Sequence, residues 1–92
     1  MLYMVHMQVK TLHLLPAAEA DRVKAVEKAY AQDLQRQGKW LHLWRVVGEY
    51  ANVSIFDVDS HDELHALLAG LPMFPYMELK VKPLARHPSA IG

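Results

Sequence analysis

The order in which the hydrophobic period changes along this chain constrains its fold more than any other feature. Alternation every second residue marks a strand, and a period of about 3.6 marks a helix. Over residues 2–10, Tyr3, Val5, Met7 and Val9 fall on one side, and Met4, His6, Gln8 and Lys10 on the other. That pattern predicts a strand. Pro16 can open a helix at its first turn, and Gly38 closes it after Gln37. Residues 39–47 and 50–58 read as two strands joined through Gly48-Glu49 into a hairpin. Ser60 and Glu63 form a capping box, followed by a helical stripe of Leu64, Leu67, Leu68 and Leu71. Pro72 and Pro75 end this second helix, and residues 76–81 alternate as a last strand. The order β-α-β-β-α-β predicts an α+β, ferredoxin-like fold, with a four-stranded antiparallel sheet and two helices on one face. Residues 1–92 are expected to form one domain, with 83–92 as a proline-punctuated tail.

A chain of 92 residues supports only a thin core, yet 52% of it is apolar. The surplus predicts contact with further copies of the chain, and in folds of this type the bare sheet face is the usual dimer surface. Ten basic residues balance ten acidic ones. This leaves no basic field for nucleic acid or acidic lipid. The third predicted strand also lacks the aromatic motif of RNA-recognition modules. Cysteine is absent, which excludes thiolate chemistry and fits a reducing cytoplasm. The opening residues lack the basic start of a signal peptide, so none is expected, and no apolar run is long enough to cross a bilayer.

The first helix carries the anomaly. On its wheel Ala20, Val23, Val26, Tyr30, Ala31 and Leu34 span one arc, and Glu27 falls inside that arc. Lys24 lies at its edge. A carboxylate turned toward a core loses hydration, and its pKa rises. A carboxyl shifted toward neutrality can accept and return a proton. The same placement also suits a structural ion pair, with Arg45 or a lysine as the partner.

The hairpin supplies other polar groups. Plain alternation puts Trp40, His42, Trp44 and Val46 on one face of the second strand, and Leu41, Leu43, Arg45 and Val47 on the other. On the third strand Tyr50, Asn52, Ser54 and Phe56 share a face. Asn52 can donate to an oxyanion, and Arg45 can grip a carboxylate with two hydrogen bonds. Taken singly, Asn52 serves equally as a local backbone partner and Arg45 as a solvated rim residue. Tyr76 follows Pro75 at the mouth of the last strand, where its hydroxyl can meet a ligand or a backbone carbonyl. His61 and His65 are four residues apart, but Glu63 is one place late for a zinc-protease helix and is taken by the cap. No metal site is expected. There is no glycine-rich phosphate loop and no Gly-x-Ser-x-Gly elbow.

Longer strings point further. Trp40-Leu41-His42-Leu43-Trp44-Arg45, Tyr50-Ala51-Asn52, Phe56-Asp57-Val58 and Leu71-Pro72-Met73-Phe74-Pro75-Tyr76-Met77 closely resemble the muconolactone delta-isomerase family. Met1-Leu2-Tyr3, Glu27-Lys28 and Arg86-His87-Pro88-Ser89 match as well, so the resemblance spans nearly the whole chain. It implies an enzyme of the β-ketoadipate pathway of aromatic catabolism, converting muconolactone to 3-oxoadipate enol-lactone. It also implies a ferredoxin-like subunit, a decamer of five dimers and no cofactor. Glu27 matches the family's proton-transfer carboxylate. By residue type and expected position, Tyr76, Asn52 or Ser54 would stabilise the oxyanion, and Arg45 or Lys24 would hold the substrate's acetate group. His42 and Trp40 would complete the binding surface. Two other readings stay open at this stage. One is a chloromuconolactone dehalogenase on the same scaffold; the other is a non-catalytic ferredoxin-like module binding a ligand or haem.

Overall fold

The computed structural model describes all residues, 1–92. Its elements are β1 (Leu2–Val9), α1 (Ala17–Arg36), β2 (Trp40–Arg45), β3 (Ala51–Asp57), α2 (His61–Ala69) and β4 (Met77–Leu84). Short 3-10 turns at Leu12–Leu14 and Phe74–Tyr76 precede α1 and β4. The strands form one antiparallel sheet in the order β2-β3-β1-β4. This is the predicted α+β arrangement.

Local chemistry fixes the joints. Gly38 lies at φ +76°, a conformation that costs a residue with a Cβ. Its N–H bonds the Gln35 carbonyl, and the Lys39 N–H bonds the Leu34 carbonyl, which closes α1 with a Schellman motif. Gly48 at φ +81° turns the β2–β3 hairpin. Ser60 Oγ accepts the Glu63 N–H at 3.0 Å and caps α2. The Glu63 carboxylate returns to the Asp59 N–H, one residue earlier than the expected box, and also accepts from Lys39 Nζ. β4 runs to Leu84, three residues beyond the expected end. Pro83 is tolerable there because β4 is an edge strand with one unpaired side.

Tyr3, Val5, Met7, Phe56, Leu64, Leu68 and Leu71 form the core between the sheet and the helices. The α1 arc is narrower than the wheel suggests. Ala20, Ala31 and Leu34 are buried, whereas Val26 is 52% exposed. Val26 sits about 40° beyond Tyr30 on the wheel, past the line of contact with the sheet.

β2 corrects the simple alternation. Trp40 pairs with Phe56, but His42 pairs with Ile55, so Leu41 is the extra residue of a β-bulge. From Trp40 onward the faces shift. Trp40, Leu43 and Arg45 join Phe56, Ser54 and Asn52 on the helix side, while His42 and Trp44 pass to the outer side. There their rings stack, 4.8 Å apart and 9° from parallel.

Ser60→Ala should lower stability by about 1 kcal/mol, a fall of roughly 4–8 °C in Tm for a domain of this size. Thermal unfolding by circular dichroism measures it. An unchanged Tm would show that this cap carries no stability.

Candidate active site

A cleft of about 400 Å³ opens between the flank of α1 and the β2–β3 hairpin. Helical spacing sends Lys24, Glu27, Lys28 and Ala31 to that flank. The hairpin contributes Trp40, Arg45 and Asn52, and Met73 and Met77 border the cleft from the segment leading into β4. Five of the eight residues singled out from sequence therefore share one cavity: Glu27, Lys24, Arg45, Asn52 and Trp40.

Glu27 has none of the ion-pair partners expected of a structural carboxylate. The chain's three ion pairs join Met1 to Asp57, Lys10 to Glu78 and Lys39 to Glu63. Glu27 Oε1 instead accepts the Met73 backbone N–H at 3.1 Å. Burial raises the carboxyl above its usual range, and the Met73 bond only partly opposes this. The result is a half-buried carboxyl whose second oxygen has no hydrogen-bond partner within the chain.

Three cations, Lys24, Lys28 and Arg45, line the cleft against that one carboxylate. The cavity is therefore set to receive an anion. The Arg45 guanidinium lies 5.4 Å from the centre of the Tyr50 ring, which steadies it without neutralising it. Trp40 is 2% exposed, stacks on Phe56 at 4.7 Å, and leaves its indole N–H without an acceptor.

The other three candidates lie outside the cleft. Ser54 is fully buried behind it, and its hydroxyl donates to Asn52 Oδ1 at 2.7 Å. Tyr76 packs against the small cluster of Leu12, Ala20 and Met73, and its carbonyl accepts from Lys10 and Thr11. His42 is on the outer face because of the bulge. His61 bonds the Tyr3 hydroxyl through Nδ1. No group of three or more His, Asp or Glu side chains is placed to hold a metal ion.

Two contributions escaped the sequence. Tyr50, read only as a strand residue, lines the cleft under Arg45. Met73 acts through its backbone, which no side-chain pattern can flag.

The family model described as muconolactone delta-isomerase matches residues 1–90. The chain belongs to the muconolactone delta-isomerase family. It is 68% identical to the muconolactone delta-isomerase of Cupriavidus pinatubonensis over 99% of both chains. It is 54% identical to that of Acinetobacter baylyi, over 99% of this chain and 95% of the other. A crystal structure of muconolactone isomerase superposes with a TM-score of 0.89 at 52% identity, covering 100% of this chain and 96% of that one. A dehydrochlorinase from Burkholderia phenoliruptrix, 17% identical with a TM-score of 0.67 over 95% of this chain and 96% of that one, shares the fold.

The Glu27 carboxyl binds its proton more tightly folded than unfolded. Between the two pKa values the native state holds more proton, so stability falls as pH rises through that window. Glu27→Gln removes the ionisation while keeping an acceptor for the Met73 N–H. Its Tm should match the parent's near pH 4 and exceed it by a few degrees at pH 7, measured calorimetrically. A lower Tm at pH 7 would contradict a desolvated, unpaired carboxylate.

Proposed function

We propose that this chain is a muconolactone delta-isomerase, moving one proton within an unsaturated lactone that carries an acetate arm. The reading rests most heavily on Glu27: a half-buried carboxylate with a raised pKa and no ion-pair partner, in a cleft whose other charged groups are the cations Lys24, Lys28 and Arg45. That is what a base at neutral pH requires, beside a site for an anionic substrate. Family membership supplies the reaction.

Muconolactone has its double bond between the α- and β-carbons. Glu27 takes the proton from the γ-carbon, and the C–H electron pair spreads through the ring onto the carbonyl oxygen. The resulting dienolate is an oxyfuran anion. Glu27 then gives the same proton to the α-carbon, which leaves the double bond between the β- and γ-carbons. The two carbons flank the β-carbon of one five-membered ring, so a single carboxyl above one face reaches both. Base and acid are the same group in successive states, and no net proton is consumed.

Asn52 is the donor for the developing oxyanion, since a neutral amide can offer N–H without adding charge. Arg45 and Lys24 hold the acetate arm, and Trp40 forms the apolar wall beside the ring. A dry wall strengthens each of these interactions. Ser54 and Tyr76, outside the cleft, do not contact the lactone.

We also infer that residues 1–92 act as one catalytic domain in the cytoplasm, and that two copies pair through the outer sheet face. Leu2 and Trp44 on that face are 41% and 55% exposed, and Met4, Val53 and Ile55 lie on the same side. Such a patch calls for a cover. The family resemblance extends this to five such dimers in a decamer.

Glu27→Gln should cut turnover of muconolactone by about 10²–10⁴-fold while the protein stays folded, because only the base is lost. Near-normal turnover would refute the mechanism. Arg45→Ala should raise KM by about 10- to 100-fold with little change in kcat, as expected for losing a charged hydrogen bond to a group remote from the reacting carbons. An unchanged KM would remove Arg45 from the acetate site.

A further inference from the structure

We propose that Ser54 is a positioning residue whose hydroxyl fixes the Asn52 carboxamide with its NH₂ end toward the lactone. The proposal rests on the reading of Asn52 as the oxyanion donor.

A primary amide has two ends of opposite character, and its own bonds do not choose between them. Its carbonyl end would repel the oxyanion that its NH₂ end stabilises. An Asn on a cleft wall therefore helps only if something sets its rotation beforehand. Ser54 stands two residues along the same strand, on the same face. It is 0% exposed and is the one polar residue in the buried core. Its neighbours across the sheet are Val5 and Leu43, both apolar. The hydroxyl's partner is Asn52 Oδ1, at 2.7 Å.

The surroundings fix the direction of this bond. With the amide reversed, Nδ2–H would donate to Oγ, and the serine O–H would point into apolar side chains with no acceptor. Buried donors are rarely left unmet, so the serine donates and Oδ1 accepts. The Asn52 NH₂ is then free, with no hydrogen-bond partner in the chain. Ser54 touches no substrate in this arrangement. It selects the amide state that the reaction needs.

Steady-state kinetics on four variants test this. Ser54→Ala should keep its Tm within a few degrees and KM within about twofold, yet lose about tenfold in kcat, as a donor that is present but no longer held. Ser54→Thr keeps the hydroxyl and should recover most of that kcat. Asn52→Ala should lose about 100-fold. The Ser54→Ala/Asn52→Ala double variant should be no slower than Asn52→Ala alone, because Ser54 acts only through that amide. Full kcat in Ser54→Ala, or losses that multiply in the double variant, would overturn the Ser54 assignment while leaving Asn52 in place. Full activity in Asn52→Ala would overturn the oxyanion-donor reading and this one with it.

Discussion

The hydrogen bond from the Met73 N–H to Glu27 Oε1 ties two distant parts of the chain together. On one side is α1, whose flank turns Glu27 toward the sheet. On the other is the proline-bounded segment between α2 and β4. The bond gives one carboxylate oxygen a fixed neutral partner. It supplies no positive charge, so burial still governs the carboxyl and keeps it proton-hungry. A lysine or arginine in the place of that N–H would stabilise the carboxylate and remove its basicity. The site thus depends on the chain bringing a backbone amide to Glu27 while holding Lys24, Lys28 and Arg45 beyond ion-pair reach.

Substrate binding is a second use of the same restraint. Cations that do not pair with Glu27 stay free to meet an anion, which is the role proposed for them with the acetate arm of the lactone. Arg45 rests over the Tyr50 ring, a partner that orders the guanidinium and leaves its N–H groups free. Base and anchor can then share a small cleft without cancelling each other.

Much of this was legible in the sequence because it follows from period and punctuation. The alternation of β1, the stop at Gly38, the turn at Gly48 and the cap at Ser60 are local signals, and the structure realises each of them. Glu27 was legible for the same reason, as a charge where the wheel demanded an apolar side chain. The bulge at Leu41 was not. An extra residue in a run of Leu, His and Trp leaves no mark on alternation, and only the pairing with β3 exposes it. That one residue moves Trp40 to the side of Arg45 and sends His42 out of the cleft. The Met73 contact was hidden too, since a backbone donor has no signature in residue type. Ser54 was read as a ligand-facing hydroxyl because it shares a strand face with Asn52. Depth, which alternation does not report, leaves it fully buried and outside the cleft lining instead.

The proposed base of the reaction is a desolvated Glu27 carboxylate. The pH dependence of kcat/KM for muconolactone tests it most directly, because it reports the ionisation of the free enzyme's essential group. Activity should fall with unit slope on the acid side, with a midpoint clearly above 4.5, the ordinary glutamate value. A midpoint at or below that value, or no acid limb at all, would contradict it.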